Sequence, residues 1–234
     1  MKAVSEKSFG ARLRASQDLV KVLAQISYIP ARPSESVVAM TALCDSIVTV
    51  NATVVQSMQD YNMANKSRTQ LFRTDAHSVV KILSPIRKYV DAFYGKESIQ
   101  ARQVASIIER LRATKATVLP SLDPDVVHTI SNSEQSFGSL TQAFNDLVNT
   151  LKTFQGYAPA ILHLKITALE AQLIQITSLN DAVIDYLTTL RIARTQRTNL
   201  YTDLHDKSLR IKSLISASFG NTSNEYKMIR KLGV

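Results

Sequence analysis

The sequence predicts an all-α fold: two homologous helical-bundle units, related by internal duplication and built around two long antiparallel or crossing helices. Three observations predict it. Glycine and proline are scarce, six of each in 234 residues, too few for the turns of a sandwich or barrel or the Gly-rich turns of a doubly wound sheet. Apolar residues recur at spacings of three and four, the period of an amphipathic helix. Short motifs of the first half return in the same order in the second.

Taken in order, residues 5–29 form a first helical pattern, with Leu13, Leu19, Val20, Leu23 and Ile26 on one face. Pro30 and Pro33 stop it, since proline lacks a backbone donor and restricts the residue before it. A long helix is expected over 35–72. Its two adjacent stripes, one through Met40, Leu43, Ile47, Val50 and Val54 and one through Val37, Cys44, Val48, Val55 and Met58, imply neighbours on more than one side. A break near Asp75 leads to a third helix over 77–94, which Pro85 should kink or whose true start it should mark, and which Gly95 should end. A fourth covers 98–112. Residues 113–135 lack helical period and hold Pro120 and Pro124, so they read as a connector between a first repeat, 1–112, and a second, 136–234.

The second repeat echoes the first. Ser8-Phe9-Gly10 returns as Ser136-Phe137-Gly138, Tyr28 and Pro30 as Tyr157 and Pro159, and Thr41-Ala42-Leu43 as Thr167-Ala168-Leu169. Arg68-Thr69-Gln70 matches Arg194-Thr195-Gln196, Leu71-Phe72 matches Leu200-Tyr201, and Asp75-x-His77 matches Asp203-x-His205. Residues 159–201 contain no proline or glycine after Pro159 and keep helical time, so one long helix is expected there. Asn180 interrupts its stripe, either as a buried register residue or at a helix edge reaching water. The segments Tyr157-x-Pro159, Leu164-Lys165-Ile166, Ala193-Arg194-x-x-Arg197-x-x-Leu200-Tyr201 and the tail Ser218-Phe219-Gly220-x-x-Ser223-x-Glu225-Tyr226-Lys227 resemble a bacterial family of duplicated helical bundles whose function is unknown. The resemblance implies the fold class and brings no catalytic residues with it.

Composition and motifs narrow the function. The chain has one cysteine, Cys44, expected as a small core residue, and no intrachain disulfide is possible. No apolar run approaches the roughly 18 residues of a membrane span, and the N-terminal stretch with Lys2, Lys7, Arg12 and Arg14 lacks an apolar signal core. No transmembrane segment is therefore expected, and a cytoplasmic location is. Phosphate-loop, nucleophile-elbow and zinc-helix motifs are missing, so no catalytic, cofactor or metal residue is assigned. The two Asp-x-His pairs, Asp75/His77 and Asp203/His205, invite a metal or acid/base role, but residues two apart diverge on a helix, and the expected reading is a capping Asp with a surface or partly buried turn His.

Charge is more informative. The net charge is +9. Residues 66–115 hold eleven Lys/Arg against four Asp/Glu, 191–234 hold nine against three, and 116–190 hold two against seven. Candidate polyanion-binding residues are Lys66, Arg68, Arg73, Arg87 and Lys88 in the first repeat and Arg191, Arg194, Arg197, Arg210 and Lys212 in the second. Phe72, Tyr201 and Tyr89 stand nearby as bases could stack on them. The expected role is a non-catalytic scaffold or interaction protein that self-associates or binds a protein partner. The alternative is a nucleic-acid-binding protein that uses the basic patches.

Overall fold

The computed structural model describes residues 6–112, 117–118, 129–130 and 136–233. Among these residues it is all-helical apart from two short strands. Helix α1 (Glu6–Gln25) is followed by a 3-10 turn, Pro33–Glu35, and by α2 (Val37–Thr69), which continues as a π-helical turn, Gln70–Thr74. Helices α3 (Val79–Tyr94) and α4 (Ile99–Arg112) complete the first half. After β1 (Thr117–Val118) and β2 (Thr129–Ile130), which pair antiparallel, come α5 (Phe137–Lys152), a 3-10 turn at Leu162–Leu164, α6 (Ile166–Phe219) and α7 (Asn224–Ile229). The rest of the expected connector lies outside the described residues.

Local chemistry accounts for the ends. Ser136 and Ser223 cap α5 and α7, accepting from the backbone N–H of Ser139 and Tyr226. Gly95 and Gly220 adopt φ of 94° and 91° just past α3 and α6, the left-handed conformation that a side chain would strain. Pro85 stays inside α3, past the first turn, so its missing N–H gives up one intrahelical bond there.

Helix α6 corrects one expectation. The reading ended it at Tyr201; it runs 54 residues to Phe219, about 80 Å at ~1.5 Å per residue. In the first half the long helix stops at Asp75, which is exposed, and α3 begins anew. In α6 the position 129 residues later is Leu204, fully buried, so the apolar stripe has no gap at which to break. Asp75-x-His77 therefore lies in a turn, while Asp203-x-His205 lies within a helix, where Asp203 pairs with Lys207 at 2.7 Å.

The chain packs into two compact units that differ from the division at 113–135. Unit 1 comprises Met1–Asp60 and Leu187–Val234; unit 2 is Tyr61–Tyr186. Each draws on both sequence halves. In unit 1, Leu19 and Leu23 of α1, Met40, Leu43 and Ile47 of α2, and Tyr201, Leu204, Ile211 and Ile215 of α6 share one core. In unit 2, α3, α4 and α5 surround Ile82, Ile86, Val104, Ile108, Phe144 and Leu147, with Leu169 and Ile176 from α6. Within unit 1 the α2–α6 contacts run antiparallel: Met58 meets Arg194 and Asn51 meets Tyr201.

Two membrane and core expectations can be set against this packing. Cys44 is buried, and burial, with Asp45 second, raises its thiol pKa, which keeps it protonated and inert. The expectation of no spanning segment meets one stretch that passes by length and composition alone. It lies within Val37–Tyr94 and has mean hydropathy 1.6 over 18 residues. Alanine, cysteine and methionine among the valines keep the window apolar although no uninterrupted run is long. One third of it (33%) is buried in the protein.

Each 3-10 turn is anchored by a tyrosine. Tyr28 Oη donates to the Glu35 carbonyl at 3.2 Å, and Tyr157 Oη donates to the Leu164 carbonyl at 3.0 Å. Burial, reinforced by Glu35, pushes Tyr28 up to about 12. Burial, with Tyr89 and Tyr94 adding to it, pushes Tyr157 above the usual phenol range. The folded state holds both protons more tightly than the unfolded chain. Their stabilisation is thus complete below about pH 10, the ordinary phenol value, and is lost as pH rises beyond it. Ultraviolet titration of the phenolates should show late tyrosines, Tyr94 among them since burial raises it too, with one late component removed by Tyr28→Phe and another by Tyr157→Phe. Ordinary titration of all eight would contradict this.

Candidate functional site

The ten candidate cations divide five to each unit, and the structure engages most of them in contacts that hold the fold. Arg197 is 6% exposed, with its guanidinium 4.2 Å from the centre of the Phe9 ring. Arg68 lies 4.0 Å over Phe137 and donates to Asn65 Oδ1 at 2.7 Å; burial lowers its pKa. Arg210 Nε donates to Oε1 of the buried Glu35 at 2.6 Å. Lys212 Nζ donates to the Leu232 carbonyl at 2.6 Å, and burial lowers its pKa. Arg87 pairs with Asp91 at 3.8 Å. Lys66, Arg73, Lys88, Arg191 and Arg194 stay exposed. Phe72 and Tyr201 are each 1% exposed and so are closed to stacking bases, a correction to the sequence reading. Tyr89 packs on Phe93 and Tyr157.

What the buried cations build is a cation–aromatic anchor in each unit. In unit 1, Tyr201 Oη donates to the Phe9 carbonyl at 2.8 Å and accepts from Asn51 Nδ2 at 3.1 Å. Arg12 Nη2 donates to the Tyr201 carbonyl at 3.0 Å, and the Phe9 and Tyr201 ring centres are 4.8 Å apart. In unit 2, Phe72 and Phe137 are 5.0 Å apart, and Asn180 Nδ2 donates to Thr141 Oγ1 at 2.8 Å. Asn180 is half-buried and its Oδ1 has no partner among the described residues, as is true of Asn51 Oδ1. Asn180 thus bonds across helices from a half-buried position. The signal for the anchors was present as Arg68-x-x-x-Phe72 and Arg197-x-x-x-Tyr201, one helical turn apart.

These anchors correspond at an offset of 129 residues, Arg68 to Arg197 and Phe72 to Tyr201. The buried pairs Met40/Leu169, Ile47/Ile176, Val54/Val183, Ala64/Ala193, Ile82/Ile211 and Ile86/Ile215 share it. The motif matches that set Arg68 beside Arg194 and Thr41 beside Thr167 are therefore three residues out of step with burial.

Two grooves of about 530 Å³ lie between α2 and α6, one per unit. The unit 1 groove is lined by Ser46, Thr49, Val50, Gln196, Asn199 and Leu200. In the unit 2 groove Gln175, Ser178, Leu179, Ser67, Gln70 and Leu71 occupy the positions 129 residues away. Both combine carboxamides and hydroxyls with an apolar floor. A third cavity, about 510 Å³, in unit 2 brings Asp75 and His77 to His163. The imidazoles stack with centres 4.1 Å apart, and Gln172 Nε2 donates to the His77 carbonyl at 3.0 Å. Sequence reasoning paired His77 with Asp75 and missed His163, because nothing in the spacing joins residues so far apart. Among the described residues no group of three or more His, Cys, Asp or Glu could hold a metal ion; His128 lies outside them. Comparison with family models, curated proteins and solved structures finds no match.

Proposed function

We propose that the chain is a cytoplasmic, non-catalytic helical scaffold, formed by internal duplication, that works by associating with copies of itself. Support for the duplication is the shared offset of the buried residues, the anchors and the two grooves. The observation that carries association is the outer face of α2. Val38, Val48 and Val55 are 79%, 47% and 57% exposed, and residues 37–65 carry no lysine or arginine. Two copies with net charge +9 repel least where both lack cations, and exposed apolar surface there favours contact. Light scattering across a concentration series should show mass rising above one chain, with Val48→Lys and Val55→Lys lowering it. A single-chain mass at every concentration would sink the proposal.

Nucleic-acid binding is the second reading, favoured by the exposure of Lys66, Arg73, Lys88, Arg191 and Arg194. It predicts retention on heparin or DNA at low salt that falls steeply as salt rises. No retention at low salt would exclude it.

A further inference from the structure

We infer that unit 2 binds a guanine base at the stacked imidazoles of His77 and His163. This site lies outside the α2 face and works whether or not the chain self-associates. The cavity there, about 510 Å³, is walled by Asp75, His77, His163, Gln172 and Gln175, with Ala168 and Ala171 among its small residues. That size suits a base with its sugar. The cavity adjoins the unit 2 groove, which shares Leu71, Asp75 and Gln175 with it. The turn that sets Asp75 at the junction is π-helical, Gln70–Thr74, and the Asp75 N–H closes it on the Gln70 carbonyl at 3.0 Å. Such turns are rare and frequently mark functional sites. Nothing in the repeat requires this one. The corresponding stretch of α6 is ordinary α-helix, and the positions 129 residues from Asp75, His77 and His163 hold Leu204, Asp206 and Ser34.

Each wall matches one part of a guanine nucleotide. The imidazoles stack with centres 4.1 Å apart and planes 19° from parallel. A flat ring entering the cavity extends that stack, as bases do on aromatic side chains. The Asp75 carboxylate is exposed and takes no ion pair among the described residues. An ionised carboxylate only accepts. Guanine offers it two adjacent N–H donors on its Watson–Crick edge, one for each oxygen. Adenine, cytosine and uracil each set an acceptor beside a donor there, and that lone pair would face the second oxygen. Gln175 supplies a donor for the guanine carbonyl, while Gln172 Nε2 is held on the His77 carbonyl at 3.0 Å and steadies the turn that carries the imidazole. Cations flank the same turns. Lys81 Nζ donates to the Thr74 carbonyl at 2.6 Å, beside Asp75, and Arg73 and Lys165 are exposed. With positive charge around a single carboxylate, the cleft favours an anionic ligand that brings N–H donors over a simple amine.

The test follows the His77 and His163 ring signals of the full-length chain by nuclear magnetic resonance, assigned with His77→Gln and His163→Gln. Guanosine 5′-monophosphate is expected to shift both rings saturably. Adenosine 5′-monophosphate should bind about tenfold more weakly, within the discrimination a bidentate pair gives. Asp75→Asn, at an exposed position, should keep the fold and remove that preference. Inosine 5′-monophosphate, which lacks the second donor, probes the same pair without altering the protein and should bind more weakly than the guanine nucleotide. Equal affinity for the three nucleotides, or an unchanged preference in Asp75→Asn, would overturn the proposal. So would equal shifts with ribose 5-phosphate, which would mean phosphate binding alone. Single-stranded hexauridylate with one guanosine in place of a uridine, compared with hexauridylate itself, separates the sources of the base. Shifts with this RNA and not with the mononucleotide would mark a guanosine within RNA as the ligand. Shifts with both would show that the base and one phosphate suffice, and shifts with neither would overturn the site.

Discussion

Tyr201→Ala is expected to destabilise unit 1 by about 4 kcal/mol, the usual cost of truncating a buried aromatic side chain. Tyr201 is 1% exposed, and its hydroxyl sits between the Phe9 carbonyl and Asn51 Nδ2. Truncation opens a ring-sized cavity beside Phe9 and leaves the Asn51 amide without its partner. Tyr201→Phe keeps the packing and loses only the hydroxyl, so it should cost about 1–2 kcal/mol, the range for a buried bond whose partners are left unsatisfied. Urea unfolding followed by circular dichroism gives both values. Equal effects of the two substitutions would show that the hydroxyl, and not the ring, carries the anchor.

Phe72→Ala should cost unit 2 a similar amount, about 3–5 kcal/mol. Phe72 is buried to the same degree and packs on Phe137 under the Arg68 guanidinium. It has no hydroxyl, so the loss is packing alone, its contact with the Phe137 ring included. Because the two residues act in different units, their effects should add in the double variant. Marked non-additivity would mean that the two anchors share one cooperative core.

The helical class was legible in the sequence because period and composition are local properties. So was the stop at Gly95, just past α3, whereas α1 ends at Gln25, short of the stop expected at Pro30, and Pro33 opens a 3-10 turn. The extent of α6 was not legible, since the matching Asp-x-His pairs suggested a break that buried Leu204 prevents. The candidate cations were legible as charge but not as environment. Arg197 and Arg191 look alike in sequence, yet one lies over Phe9 and the other in solvent. The ring that buries Arg197 belongs to a helix at the far end of the chain, and no spacing rule connects them. The stacked His77 and His163 were hidden for the same reason. The make-up of the units was hidden too, because repeats are read along the chain while packing here runs between its halves.

The central claim is that each compact unit is built from both halves of the chain. Hydrogen exchange with mass readout on Tyr201→Ala tests it most directly. The account predicts lost protection in α1, nearly the whole chain away in sequence, while α5, the next helix of Tyr201's own half to be traced backward beyond α6, keeps its protection. Loss confined to α6 and α5, with α1 unchanged, would contradict it.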